Sequence, residues 1–265
     1  MKQRIITGII GGVIFISFVI VGGWLFSLFI TIVASIAIFE LLKMKKISPI
    51  SLMGFVSLLS MWLLLVPTAW YDQVIPFSFS KVEIFLFLIL ALLMFTVITK
   101  NTFTFDEVGF VILSSVYVGF GFHYLIVTRE LPEIGMILVF FVLLIIWTTD
   151  SVAYFVGRSL GKHKLWPDIS PKKTIEGSIG GVVGAIVIGT IFYVFYPIFP
   201  NYVITIIIIL ITSIFGQLGD LVESALKRHY AVKDSGNVLP GHGGILDRFD
   251  SLIYVMPILH LLLLI

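Results

Sequence analysis

The chain has 265 residues, of which 59% are hydrophobic and only 12% are charged. A soluble domain is typically about 45–50% apolar and about 25% charged, so this composition excludes a water-soluble globule and predicts an all-α, polytopic transmembrane helical bundle. The sequence contains no cysteine, which excludes disulfides and a thiol nucleophile, and its net charge of +2 gives no sign of a nucleic-acid partner.

Apolar segments, cut at charged residues, proline and glycine, predict about nine membrane spans, because roughly 20 apolar residues cross a bilayer. In chain order the predicted spans are 5–22, 24–42, 50–67, 82–99, 108–127, 134–157, 178–198, 202–226 and 249–265. The first span follows Lys2 and Arg4, as in a secretory signal peptide. It is longer than a usual signal core, and no Ala-x-Ala-like cleavage site follows it, so a retained helix is predicted.

The positions of lysine and arginine predict the orientation. If the N-terminus is cytoplasmic, all of the 17 basic residues except Lys81 and Arg129 lie on the cytoplasmic side, as the positive-inside rule requires. We therefore expect a multi-pass protein of the cell membrane whose long loops face the cytoplasm. The N-terminal transmembrane helices would occupy residues 1–130. A second transmembrane region would occupy 131–265, with the long cytoplasmic loops at 158–177 and 227–248.

The eighth predicted span carries polar residues at helical spacing along one face. They are Ser213, Gly216, Gln217, Asp220, Glu223, Ser224 and Lys227. Ionised groups in lipid cost several kcal/mol, so this face is expected to meet protein or a water-filled cavity. The structural alternative is an ion pair between Glu223 and Lys227, four residues apart. By the same rule, Glu40 in the second span is expected to pair with Lys43.

A second acid, Asp150, is predicted to lie at the same membrane depth as Asp220. Asp150 precedes Arg158 by eight residues and Asp220 precedes Lys227 by seven. Both carboxylates would then lie about 10–12 Å inside the cytoplasmic ends of their helices. They could share one cavity that opens to the cytoplasm. A lone hydrogen-bonded helix contact remains the alternative for Asp150.

Asp247 and Asp250 lie at the start of the last span, where acids also stabilise a helix by meeting its dipole and free N–H groups. The glycine-rich run 241–244 before Asp247 lets backbone N–H groups approach an anion.

In loop 158–177, lysine, serine and threonine could hold a polyphosphate, although topology alone accounts for lysines there and the spacing is not that of a Walker A loop. Together these features predict carboxylates for a hard divalent cation, flanked by cations for phosphates.

Residues 224–250 resemble, without departure, the signature of the phosphatidate cytidylyltransferases, also called CDP-diacylglycerol synthases. The segment runs from Ser224-Ala225-Leu226-Lys227-Arg228 to Gly241-His242-Gly243-Gly244-Ile245-Leu246-Asp247-Arg248-Phe249-Asp250. Segments 150–158 and 170–177 are similar to other shared blocks of that family. The resemblance covers about 145–265 and is of the bacterial type, whereas the first 130 residues resemble the family only in being apolar helices.

The resemblance implies transfer of CMP from CTP to phosphatidic acid in phospholipid biosynthesis, giving CDP-diacylglycerol and pyrophosphate, with Mg²⁺ required. It implies that 131–265 is a catalytic transmembrane region whose active site faces the cytoplasm, and that Asp220 and Asp247 bind the metal. It also implies catalytic roles for Lys227, Arg228 and Arg248. The substrate-binding residues that it implies are Asp150, Ser170, Lys172, Lys173, Thr174, Glu176, Ser224, His242, Gly243 and Gly244. The expected partners are CTP, phosphatidic acid and the lipid bilayer, with no nucleic acid and with a homodimer as an open alternative.

Two other functions compete with this one. Intramembrane acids also mark the ion paths of coupled transporters, although transporter sites usually lie near the midplane between repeated halves, and no internal repeat is evident here. A CTP-dependent lipid kinase would transfer the γ-phosphate instead. Its product would distinguish it, since a kinase releases CDP and a cytidylyltransferase releases pyrophosphate.

Overall fold

A computed structural model describes residues 2–67, 79–241 and 243–265 of the chain. Within these ranges it contains nine helices and one two-stranded hairpin. In chain order the elements are α1 (Lys2–Val21), α2 (Gly23–Met44), α3 (Leu52–Leu65), α4 (Lys81–Ile98), α5 (Phe105–Glu130), α6 (Gly135–Leu160), β1 (Lys164–Trp166), β2 (Ser170–Thr174), α7 (Ile175–Phe195), α8 (Tyr202–His229) and α9 (Leu246–Leu261).

The described helices confirm a polytopic helical membrane protein. Six of them, α2 and α4 to α8, are long and apolar enough to cross a bilayer, and the Ile6–Val21 part of α1 and the whole of α3 are shorter apolar helices. Each predicted span coincides with a described helix. The count of nine crossings and the cytoplasmic N-terminus stay predictions, because length and hydropathy alone define neither.

A small antiparallel hairpin occupies the first predicted cytoplasmic loop, which the all-α prediction did not include. Lys164 pairs with Thr174 and Trp166 with Ser170. Thr174 then caps α7, since its hydroxyl accepts a hydrogen bond from the Gly177 N–H at 3.1 Å. Strand β2 therefore leads into a membrane helix with no intervening loop, which fixes its lysines relative to the bundle.

Helices α6 and α7 approach closely because α7 presents glycines to α6. A Cβ added to Gly177 would lie 2.7 Å from the Ala153 carbonyl oxygen, and one added to Gly181 would lie 2.8 Å from the Thr149 carbonyl oxygen. Small residues at such positions are typical of tightly packed membrane helices. The close contact brings Asp150, on α6, near the hairpin.

Buried apolar side chains from both halves of the chain form one core cluster. It includes Phe26 of α2, Phe122 of α5, Phe141 of α6 and Met256 of α9. Beside this core, the buried Thr149 hydroxyl donates to the Ser213 hydroxyl on α8 at 2.9 Å. The polar face of α8 is thereby turned into the bundle, as its spacing predicts.

Candidate active site

A cavity of about 720 Å³ lies between α6, the hairpin, α8 and α9. Most of the predicted site residues line it. These are Asp150, Lys172, Lys173, Thr174, Asp220, Lys227, Asp247 and Arg248. The fold therefore gathers acids and cations from four separate elements into one place, and Asp150 and Asp220 share that cavity.

Asp220 is the acid that links the cavity to the hairpin. Its Oδ2 lies 2.7 Å from the Lys173 Nζ on β2, and its Oδ1 accepts a hydrogen bond from the Ser224 hydroxyl at 3.2 Å. The side chains of Asp220 and Lys173 are 32% and 26% exposed. The carboxylate is thus partly open to the cavity while a cation lies against it.

Lys227 is shared by two acids. Its Nζ lies 2.9 Å from Glu223 Oε2 and 2.6 Å from Asp247 Oδ1. The ion pair of Glu223 and Lys227, which the sequence offered as the structural alternative for this face, is present and includes Asp247 of α9 as a third member. The Glu223 side chain is fully buried at the edge of the cavity, so Lys227 is its charge partner in a place where solvation is weak.

Asp247 is held by the loop that precedes α9. Its Oδ2 accepts hydrogen bonds from the Ser235 N–H at 2.9 Å, from the Ser235 hydroxyl at 2.9 Å and from the Gly244 N–H at 2.8 Å. Burial raises the pKa of Asp247, but the bonds from Lys227, Gly244 and Ser235 outweigh it and hold the pKa below its ordinary value. The carboxylate is therefore ionised and oriented, and it also lies in the first turn of α9, where the helix dipole favours it.

The donor set fits a hard divalent cation that arrives with phosphates. The part of the chain that the structure describes contains no group of three or more histidines or acids arranged as a ready-made metal site. Mg²⁺ is usually held by one or two carboxylates together with substrate phosphates. Asp220 and Asp247 provide two such carboxylates, and a lysine ammonium already lies within 2.7 Å of an oxygen of each.

Two predicted residues contact the hairpin and do not line this cavity. The Arg228 Nε donates to the Ile169 carbonyl oxygen at 3.3 Å. Glu176 accepts hydrogen bonds from the N–H groups of Lys162 and His163, and its Oε1 lies 2.6 Å from the His163 Nδ1. In this arrangement both side chains hold the hairpin against the helices, and their predicted contact with substrate stays a prediction.

The predicted site residues that remain are Ser170, Gly244, Gly243 and His242. Ser170 opens β2, and the Gly244 N–H binds Asp247. Gly243 lines an adjoining cavity of about 490 Å³, together with Asp234 and Arg248. His242 lies outside the described residues.

Several lining residues were not assigned to the site from sequence. Arg158, Glu223 and Asp250 line the larger cavity. From sequence, Arg158 is one of the basic residues of loop 158–177 that could hold a polyphosphate, Glu223 is part of the polar face, and Asp250 fits a helix-start role equally well. Their positions at helical spacing from Asp150, Asp220 and Asp247 were the available signal.

Comparison with known proteins extends over the whole chain. The profile of the Cytidylyltransferase family matches residues 2–265. The phosphatidate cytidylyltransferase of Bacillus subtilis (strain 168) is 54% identical over 263 residues, which are 99% of this chain and 97% of that protein. The phosphatidate cytidylyltransferase of Staphylococcus haemolyticus (strain JCSC1435) is 43% identical over 99% of each chain. The chain therefore belongs to the cytidylyltransferase family.

Proposed function

We propose that this protein transfers CMP from CTP to phosphatidic acid within the membrane, forming CDP-diacylglycerol and pyrophosphate. Full-length relatives are named for this reaction. The proposal rests on one observation: residues of the 224–250 segment line the same cavity as Asp220, Lys173 and Asp150. Its acids and cations lie at the ends of apolar helices, so acyl chains can stay in the bilayer while the phosphates react.

The chemistry needs positive charge more than it needs a base. The phosphate of phosphatidic acid is already ionised, so one of its oxygens can attack the α-phosphorus of CTP with no Ser–His or Cys–His pair. The new P–O bond forms as the bond to pyrophosphate breaks. Two polyanions must approach, and Arg158, Lys172 and Arg248, which line the cavity, are suited to neutralise them.

Asp220 and Asp247 would hold the Mg²⁺ expected for this reaction. The ion would supply charge that stabilises the transferring phosphoryl group and the departing pyrophosphate. Lys173 and Lys227 lie against these two carboxylates. If the carboxylates bind a metal, both ammonium groups can turn their donors to substrate phosphates.

The product identifies the reaction. We expect purified protein, supplied with Mg²⁺, phosphatidic acid and CTP labelled with radioactive phosphorus at the α-phosphate, to form labelled CDP-diacylglycerol and equimolar pyrophosphate. Reactions without phosphatidic acid are the control. Release of CDP would identify a lipid kinase, and solute uptake into proteoliposomes without turnover of CTP would identify a transporter.

The cytoplasmic orientation of the site is part of the proposal and has a direct test. The chain has no cysteine, so a single introduced cysteine can be labelled without background. Lys164, in the hairpin, and Pro200, between α7 and α8, are both exposed. In intact cells, a membrane-impermeant maleimide should label Pro200→Cys, and it should label Lys164→Cys only after lysis. The reverse pattern would overturn the orientation and leave the fold unaffected.

A further inference from the structure

Glu40 lies on α2, in the half of the chain to which no site function was assigned, and it is only 4% exposed. The predicted ion pair with Lys43 does not occur among the described residues, so that prediction is wrong. The carboxylate instead contacts the segment that leads into α9. Oε1 accepts from the Ile245 N–H at 2.9 Å, and Oε2 accepts from the Leu246 N–H at 2.9 Å.

These two N–H groups belong to the start of α9, which needs a hydrogen-bond acceptor from elsewhere. The first N–H groups of a helix have no partner within the helix. Here the N-cap residue is Ile245, whose side chain has no acceptor, and no side-chain cap is formed. Glu40 supplies the missing acceptors from another helix, and its negative charge also meets the positive end of the α9 dipole.

Ser235 joins Glu40 to the candidate metal ligand Asp247. Its hydroxyl lies 3.0 Å from Glu40 Oε2 and 2.9 Å from Asp247 Oδ2. A hydroxyl has one hydrogen, so it donates to one carboxylate at a time. The Asp247 N–H in turn donates to that hydroxyl at 3.3 Å. The two acids are therefore connected through a single buried side chain.

The loop is also folded tightly around the Glu40 carboxylate. A Cβ added at Gly236 or at Gly244 would overlap the carboxylate atoms of Glu40. The Gly244 N–H meanwhile donates to Asp247 Oδ2 at 2.8 Å. The described residues of this loop, 235–241 and 243–245, thus have Glu40 on one side and Asp247 on the other, with glycines where the carboxylate comes closest.

We propose that Glu40 is a positioning residue, which fixes Ser235, Gly236 and the start of α9 and thereby orients the Asp247 carboxylate in the cavity. Its effect on turnover rests on the proposed function, whereas its effect on the loop does not. Groups that orient a metal ligand through hydrogen bonds, without touching the metal, typically contribute about 10- to 100-fold in metal affinity or activity. The N-terminal helices would then take part in catalysis by holding the site in shape.

The test is Glu40→Gln, which keeps the size of the side chain but replaces one acceptor oxygen with an NH₂ group. We expect kcat to fall roughly 10- to 100-fold and the Mg²⁺ concentration for half-maximal rate to rise, with the KM for phosphatidic acid little changed. Glu130→Gln is the matched control. Glu130 lies at the end of α5, where it accepts from the Ser27 hydroxyl at 3.2 Å, and its variant should behave as wild type.

Hydrogen exchange read by mass spectrometry provides a measurement that does not depend on turnover. In Glu40→Gln, amides 235–247 should exchange faster than in wild type, while those of α6 should not change. Unchanged exchange in this segment would overturn the proposal even if activity falls. If the wild type does not transfer CMP, the proposed function fails, but this measurement still tests the positioning role.

A second variant covers the case in which Glu40→Gln cannot be purified folded. Ser235→Ala removes the connecting hydroxyl and leaves both carboxylates. We expect a lower kcat in Ser235→Ala. Where both variants fold, the double variant should be little worse than Glu40→Gln, because residues in one network are not additive. Wild-type kcat and wild-type exchange in Ser235→Ala would overturn the proposal.

Discussion

Replacement of Asp220 by asparagine is expected to reduce CMP transfer by roughly three orders of magnitude, the loss seen when one preorganised electrostatic contact is removed from a transition state. The amide keeps the shape of the side chain but loses the charge that faces Lys173 and, in our proposal, Mg²⁺. The side chains of that pair are 32% and 26% exposed, so loss of the pair should cost less than the about 3–5 kcal/mol typical of a fully buried one. The protein should therefore stay folded.

The measurement is the initial rate of CDP-diacylglycerol formation, together with the melting temperature in detergent. Asp168→Asn is the matched control, since Asp168 is an exposed acid in the hairpin turn that does not line the cavity. It should retain wild-type activity. Full activity in Asp220→Asn would overturn the metal assignment, and the family membership and the fold would stand.

Replacement of Lys227 by methionine is expected to reduce both stability and activity. The lysine is the partner of the fully buried Glu223 and of Asp247, whose side chain is 6% exposed. Removal of one member of a buried ion pair leaves a charge uncompensated and typically costs about 3–5 kcal/mol. CMP transfer should be lost as well, because Lys227 lines the cavity and contacts Asp247.

The double variant Glu223→Gln with Lys227→Met separates the two effects. Removing the buried negative charge together with the lysine should restore most of the melting temperature, because no unpaired charge remains at Glu223. Activity should stay low, since Asp247 still lacks its cation. If the double variant regained activity along with stability, Lys227 would have only a structural role.

The inward orientation of the polar face of α8 can be predicted from the local sequence pattern. Residues spaced three and four apart share one helix face, and polar groups in a membrane helix avoid lipid. These two rules placed Asp220 and Lys227 toward the interior without knowledge of any neighbour. Asp150 and Asp220 are predicted to lie together because each lies at the same depth below the cytoplasmic end of its helix, and both line one cavity. The hairpin was missed because its strands are three and five residues long, too short for a clear alternating pattern.

The partners of the Glu40 carboxylate cannot be predicted from the local sequence pattern. Lys43 is the nearest cation along its own helix, so a helical spacing rule selected it. The actual partners are far away in the chain, and Ser235 is 195 residues from Glu40. Nothing within α2 signals that a loop before α9 will close around this carboxylate. Only the packing of the bundle brings them together.

The sequence by itself determined that the protein is a helical membrane protein, which faces of its helices turn inward, and which family motif lies at their ends. The first two properties follow from the solvation of each residue and from the 3.6-residue period of a helix, and both are local. The motif is a contiguous run of residues, recognised by its resemblance to the family. The tertiary structure decided which charges meet. Lys227 serves two acids, Lys173 reaches Asp220 from a hairpin, and Glu40 caps a distant helix. Such pairings depend on distances between helices, because a hydrogen bond needs its two heavy atoms at about 3 Å and Coulomb attraction weakens as the distance between charges grows.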